Sequence, residues 1–414
     1  MRQSIYLLIL IFSMSVAACS KEDPQPQPQE PPTYPQRGDL LEIQIKQLPE
    51  QLIYSLHSSV PINLKGLSVE GTYSDGKTYP LTVKPEHISG FSTEKENDHL
   101  PITIRIEGKE AIFYIQVVSD VLSQVTDDGN DTYTVAPHIR EIGPHAFKNT
   151  HFTTIVLNEG LTTIGKKAFS GTPVQHINFP STLKDIDQLA FYQCSQIKDV
   201  DLSQTQLTII KESVFNGAGI QNIQLPSTLT TIEDQAFLRT YQLQKIELPM
   251  SVESIGLEAF RESGITHVVL PNNLRSTGKR AFMLCENLTT VSCTNEPATY
   301  TEGEIESSFF EKCPRLQQIT YPESIRRIGR TQITENPKII LLKLPMNLQT
   351  IDFSAFDNCH SIERIEVAAP VPPSLEIYSL PKANKIKEIV VPKGSVAAYI
   401  ANEKWKDYQT IIKE

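Results

Sequence analysis

The sequence predicts a repeat solenoid, with a parallel β-sheet on one face and short helical or irregular segments on the other, preceded by a small all-β sandwich. Three observations predict it. An aromatic returns about every twenty-third residue, at Phe147, Phe169, Phe191, Phe215, Phe237, Phe260, Phe282, Phe310 and Phe356, and self-similarity at such a period marks a solenoid. Between beats comes a short apolar pair with one residue between, such as Ile155 and Leu157, Ile223 and Leu225, or Ile246 and Leu248, often followed by Pro. Ahead of the repeats, residues 40–118 alternate apolar and polar between Gly-marked turns.

In chain order, MRQSIYLLILIFSMSVAAC has Arg2, an apolar run from Ile5 to Phe12, then Ala17, Ala18 and Cys19. This is the pattern of a secretory signal over residues 1–18. The run falls short of the roughly 20 residues that a spanning helix needs. VAAC resembles a bacterial lipobox, which implies that Cys19 is lipidated and becomes the mature N-terminus, anchoring the protein to a membrane. Ser20, Lys21, Glu22 and Asp23 resemble the acidic signal that sends some such lipoproteins to the cell surface. The resemblance implies a surface-exposed outer membrane lipoprotein of a Gram-negative bacterium. Residues 19–38 include PQPQPQEPPTYP, which cannot pack a core and reads as a spacer. At about 3.1 Å per residue it reaches roughly 60 Å.

Residues 39–119 read as an antiparallel sandwich. LEIQI, GLSVEGTY, LPITIRI and AIFYIQVV alternate with the period of strands, and Ser74-Asp75-Gly76-Lys77 and Glu107-Gly108-Lys109 are the expected hairpin turns. LKGLSVEGTYSDGKTYPLTV is similar to a bacterial immunoglobulin-like domain, a kind that commonly serves as a spacer.

Residues 120–392 form the predicted solenoid. One repeat alone offers a short apolar strand and one Phe, too little to bury, so the coils must stack. One beat is missing: Ile333 stands five residues after Ile328, as Phe169 stands after Ile164, so the register survives. Gly143, Gly165, Gly256 and Gly329 recur after the interior Ile and read as tight-turn positions. Thr277 replaces that Ile in one repeat, and TNEPATYTEGEIE after Cys293 predicts a bulging loop. Residues 393–414 break the pattern. Ser395 is placed to cap a helix whose Val396, Tyr399 and Ile400 share a face, with Trp405 and Tyr408 as an apolar plug over the last coil.

The pattern L..I.LP..L..IG..AF, as in LQKIELPMSVESIGLEAF, resembles the BspA-like leucine-rich repeat family of bacterial surface proteins, over ten consecutive near-matches from about Tyr133 to the C-terminus. The resemblance implies a curved solenoid with a binding or adhesion role.

Composition points the same way. The chain has 414 residues and a formal charge of −10, without the basic stripe interleaved with aromatics that nucleic-acid binding uses. It lacks G-x-S-x-G, H-E-x-x-H and a phosphate-binding Gly loop, and no C-x-x-C or paired-His spacing calls for zinc. No cofactor or metal is expected. DDGND at 127–131 matches a calcium loop in composition only and reads as a solvated turn. Cys194, Cys285, Cys313 and Cys359 occupy one repeat slot and read as small inward-facing residues that need no chemistry. Cys285 and Cys313 lie in neighbouring repeats, where strand spacing also permits a disulfide.

The candidate binding face follows from alternation. Residues flanking each inward apolar position point outward. They form rows of His176 and Asn178, Asp199 and Asp201, Asn222 and Gln224, Lys245 and Glu247, and His267 and Val269. Stacked, the first three rows are expected to give a continuous patch suited to hydrogen-bonding a polar protein surface or a sugar. The leading functional reading is a non-enzymatic surface lipoprotein binding a protein partner on a host or neighbouring cell. The alternative is glycan capture for nutrient uptake.

Overall fold

The computed structural model describes residues 38–294, 297–333, 336–356 and 359–414. The signal, the spacer and Cys19 lie outside these residues. The described chain falls into two compact units.

The first unit comprises 38–51, 62–91 and 101–113. Strand Ser68–Tyr73 pairs antiparallel with Leu40–Gln47 and Thr78–Leu81. Its alternation buries Val69 and Tyr73. Strands Asn97–Ile106 and Lys109–Val118 are joined by Glu107 and Gly108, both at positive φ (49° and 80°), the conformation that a two-residue hairpin requires. Segments 52–61 and 92–100 belong instead to the second unit. Ile53–Ser55 pairs in parallel with the end of that hairpin, and His57 N–H donates to the Thr93 carbonyl.

The second unit is the solenoid. Each coil contributes one strand to a face running from Thr132–Thr134 to Ile412–Lys413 in parallel sheets of three, two and eight strands, with Ile155, Val200, Ile246 and their counterparts buried inside. The opposite wall differs from the helical or irregular segments expected. The interior Ile and the residue before it form a second parallel ladder, as in Thr163–Ile164 between Glu141–Ile142 and Asp185–Ile186. This ladder runs in a four-stranded and then an eight-stranded sheet.

Between the ladders stack the aromatic beats. From Phe147 to Phe282, and on to Phe310, successive ring centroids lie 4.5–5.6 Å apart and the rings incline by no more than 27°. Each ring sits in a turn whose flanking residues are left-handed: Lys167 and Gly171 around Phe169, Gln235 and Arg239 around Phe237. The glycines singled out as turn positions work differently. Gly165 and Gly256 do not have positive φ. A Cβ there would lie 2.7 Å from the Ile142 carbonyl oxygen and 2.5 Å from the Asp234 nitrogen, so glycine lets one coil approach the backbone of the one before it.

The cysteine slot is also more polar than expected. Three residues after the ring, the hydroxyls of Thr150, Thr172 and Thr240 donate to the carbonyls of Phe147, Phe169 and Phe237 at 2.7–2.9 Å. In the same slot the thiols of Cys194, Cys285 and Cys313 donate to the ring carbonyl of the preceding coil, Phe169, Phe260 and Phe282, at 2.9–3.2 Å. The carbonyls of Phe147, Phe169, Phe237 and Phe260 also accept the backbone N–H three residues on, so the side chain supplies a further donor. Cys285 and Cys313 are free thiols, not a disulfide.

The repeat that lacks its Ile keeps its ladder, because the buried Thr277 hydroxyl accepts the Glu306 N–H at 2.8 Å. After the insertion the chain rejoins as Gly303–Ile305, and Arg275 stacks 4.6 Å over the Tyr300 ring. At the C-terminus Val396–Ala401 is helical, but the Ser395 hydroxyl makes no cap bond and Ile400 faces solvent. Tyr399 and Trp405 are buried, donating to the carbonyls of Ala369 and Pro373, and Ile412–Lys413 pairs with Glu388–Val390. No helix among the described residues is long and apolar enough to cross a membrane.

Candidate functional site

The candidate face is built on strands of two to four residues. Apolar alternation holds Val200, Ile223 and Ile246 inward, so Asp199, Asp201, Asn222, Gln224, Lys245 and Glu247 all stand exposed, as does His176. Register aligns Asp199 with Asn222 and Asp201 with Gln224. Among the described residues no group of three or more His, Cys, Asp or Glu could hold a metal ion.

Several of these side chains are already engaged. The Asn178 amide accepts the Leu157 N–H at 2.8 Å and donates to the Leu157 carbonyl at 3.0 Å, standing in for a strand neighbour. Asn222 Nδ2 donates to Asp199 Oδ1 at 2.8 Å, and Asp201 Oδ1 accepts the Ser203 N–H at 2.9 Å. Lys245 Nζ lies 2.6 Å from Glu247, and its hydrogen bond and charge hold the Glu247 carboxyl below the ordinary glutamate range.

The expected continuity of the rows does not extend to the hydrogen-bonded ladder. Asp199–Asp201 and Asn222–Gln224 pair only with each other, and strand pairing lapses on both sides, against His176–Ile177 and against Lys245–Glu247. At the first seam the inward slot filled by Leu157 and Leu202 in adjacent coils holds Phe179, whose bulkier ring is only half buried and packs edge-on to Phe191 at 5.7 Å. The second seam has no such residue, and Leu225 there is half buried. A shallow groove lies over each seam. The first, of about 440 Å³, is lined by Thr154, Val156, His176, Asn178, Asp199, Asp201, Asn222 and Gln224. The second is lined by Asp199, Asn222, Gln224, Lys245, Glu247 and Met250 among others. Among the described residues no Phe, Tyr or Trp lines either groove.

Alternation located all eight candidates on this face but signalled neither the seams nor the use of Asn178. Asp199, Asn222 and Lys245 follow one another at equal spacing, although only the first step is paired.

Comparison with known proteins accords with this architecture. A model of the BspA type leucine rich repeat region matches residues 130–240, 208–331 and 297–402, and a bacterial Ig-like domain (group 3) matches residues 61–117. Among solved structures, a leucine-rich repeat protein from Bacteroides ovatus is 19% identical, with 81% of this chain and 99% of that one covered and a TM-score of 0.47. A leucine rich cell surface protein from Faecalibacterium prausnitzii is 16% identical over 76% of this chain and 92% of its own, at a TM-score of 0.35. The pneumococcal vaccine antigen PcpA is 15% identical over 91% and 97%, at 0.39. No curated protein matches. With its repeat region matched across 130–402, more than half of its length, the chain belongs to the BspA-type leucine rich repeat family and carries a bacterial Ig-like domain ahead of the repeats.

Proposed function

We propose that this protein is a non-enzymatic cell-surface lipoprotein that binds a protein partner, on a host or neighbouring cell, through the ladder face around Asp199 and Asn222. The observation that carries the reading is the pair of shallow grooves, edged by carboxylate and amide side chains, that share these two residues. An open face of amides, carboxylates and His suits a polar protein surface. Sugar capture draws on an aromatic stacking platform, which these grooves do not offer, so the protein reading is preferred to glycan capture for nutrient uptake. Nucleic acid is a poor fit to a chain of charge −10. Membership of a family of surface proteins and the VAAC motif support an outer membrane lipoprotein anchored through Cys19.

The test is capture of a panel of matrix and cell-surface proteins by the full-length protein, run beside a glycan array. Asp199→Lys with Asn222→Lys is expected to abolish capture of the protein that binds, with an unchanged melting temperature. Equal capture by this variant and the wild type moves the site elsewhere, and glycan binding without protein binding overturns the partner class.

A further inference from the structure

Strands Asp199–Asp201 and Asn222–Gln224 form a two-stranded island between two longer stretches of ladder. Its outward side chains are two carboxylates and two amides. Asp199 spends one oxygen on Asn222 and Asp201 spends one on the Ser203 N–H. Among the described residues the second oxygen of each accepts no hydrogen bond, and the ion pair on this part of the face is that of Lys245 with Glu247. The island thus presents two uncompensated negative charges, roughly 7 Å apart as alternate residues of one strand, on a chain that is itself anionic. The grooves lie on either side of it. Their separation is two strand spacings, about 10 Å.

We infer that the partner docks with a basic, extended segment in the polyproline II conformation, laid across the strands with one arginine or lysine over each seam. This rests on the reading that the face binds a protein. The spacing selects the conformation. Polyproline II returns a side chain to the same face every third residue, at about 9.3 Å, close to the seam separation. A β-strand returns one at about 6.8 Å and cannot serve both seams. Polyproline II also keeps its backbone solvated and loses little entropy on binding, which suits a shallow face crossed at right angles to its strands. Charge selects the residue, because a guanidinium fork engages carboxylate oxygens in pairs. The first seam, with Asp199 and Asp201, takes the tighter contact. At the second, Lys245 already offsets Glu247.

The experiment is fluorescence anisotropy of the full-length protein at low salt with four labelled probes. These are a Pro peptide with Arg at every third position, one with Arg at alternate positions, one with Glu at every third position, and a neutral oligosaccharide. The first is expected to bind saturably, at least tenfold tighter than the second, and to weaken as salt rises. Asp199→Asn with Asp201→Asn is expected to lose tenfold or more of that affinity without a change in melting temperature. Equal affinity for the two Arg spacings, no effect of the double variant, or saturable binding of the oligosaccharide or the acidic peptide each overturns the inference. If the Arg peptides fail while a protein is still captured and released by Asp199→Lys with Asn222→Lys, the peptide class is wrong and the face stands. If that capture fails as well, the face itself is wrong.

Discussion

Tyr321 stands edge-on to Phe356, ring centroids 6.3 Å apart, and edge-on to Phe310 at 6.5 Å, so one tyrosine bridges the beat where Ile333 replaces a ring. It comes from the strand side of the coil, from the slot that holds Leu157 elsewhere. Its hydroxyl is buried without a hydrogen-bond partner among the described residues, and burial pushes its pKa far up. Filling the gap therefore outweighs an unmade hydrogen bond. Tyr321→Ala should cost about 3–5 kcal/mol, and Ile333→Phe alone about 1–3 kcal/mol through overpacking. Ile333→Phe with Tyr321→Leu should recover most of the loss. Additive losses in urea denaturation would show that the two sites do not share space.

Phe237 lies 5.5 Å from Phe215 and 5.2 Å from Phe260 in the continuous part of the stack. Phe237→Ala should cost about 3–5 kcal/mol. Tyr241→Ser, at a residue 64% exposed, should stay within about 0.5 kcal/mol. A loss under about 1 kcal/mol for Phe237→Ala would place that ring outside the core.

Two glycines separate close approach from backbone conformation. Gly256→Ala drives a Cβ to 2.5 Å from the backbone of the previous coil and should cost about 2–3 kcal/mol. Gly171, at φ 71° with open space around it, should accept Ala for about 1 kcal/mol. The reverse order, read as denaturation midpoints, would return the repeated glycines to a turn role.

Burial raises the Cys194 thiol from 9.0 to about 11. Because the folded pKa exceeds the unfolded one, the thiol's contribution to stability is complete below pH 9 and is lost as pH climbs toward about 11. Cys194→Thr removes the titrating thiol while keeping a small buried donor in the slot, and should flatten this part of the pH–stability curve. Cys194→Val removes one of three donors to the Phe169 carbonyl, which the Thr172 hydroxyl and N–H still serve, and should cost about 0.5–1.5 kcal/mol at neutral pH. Identical alkaline slopes for wild type and Cys194→Thr would remove the thiol from the titration.

If Cys19 is the anchor, Cys19→Ala should release the protein from membranes and abolish incorporation of labelled palmitate. Retention of the variant, with no label in the wild type, would rule out the lipid.

The sequence by itself determined the coil, its interior and its outward face. Alternation and the recurring ring are local properties: Ile155, Val200 and Ile246 had to point inward and Asp199 and Asn222 outward whatever lay in the next coil. Tertiary structure decided what one coil does to another. The second ladder exists because stacking brings Ile164 beside Ile142 and Ile186, and a two-residue segment carries no strand signal of its own. The same holds for Tyr321 filling a gap twelve residues away in sequence, for thiols donating to carbonyls of the preceding coil, and for Asn178 satisfying Leu157. The seams are of this kind as well. Phe179 meets Phe191 at the first seam only, and whether two coils pair is a property of neighbours in space, which periodicity along the chain does not encode.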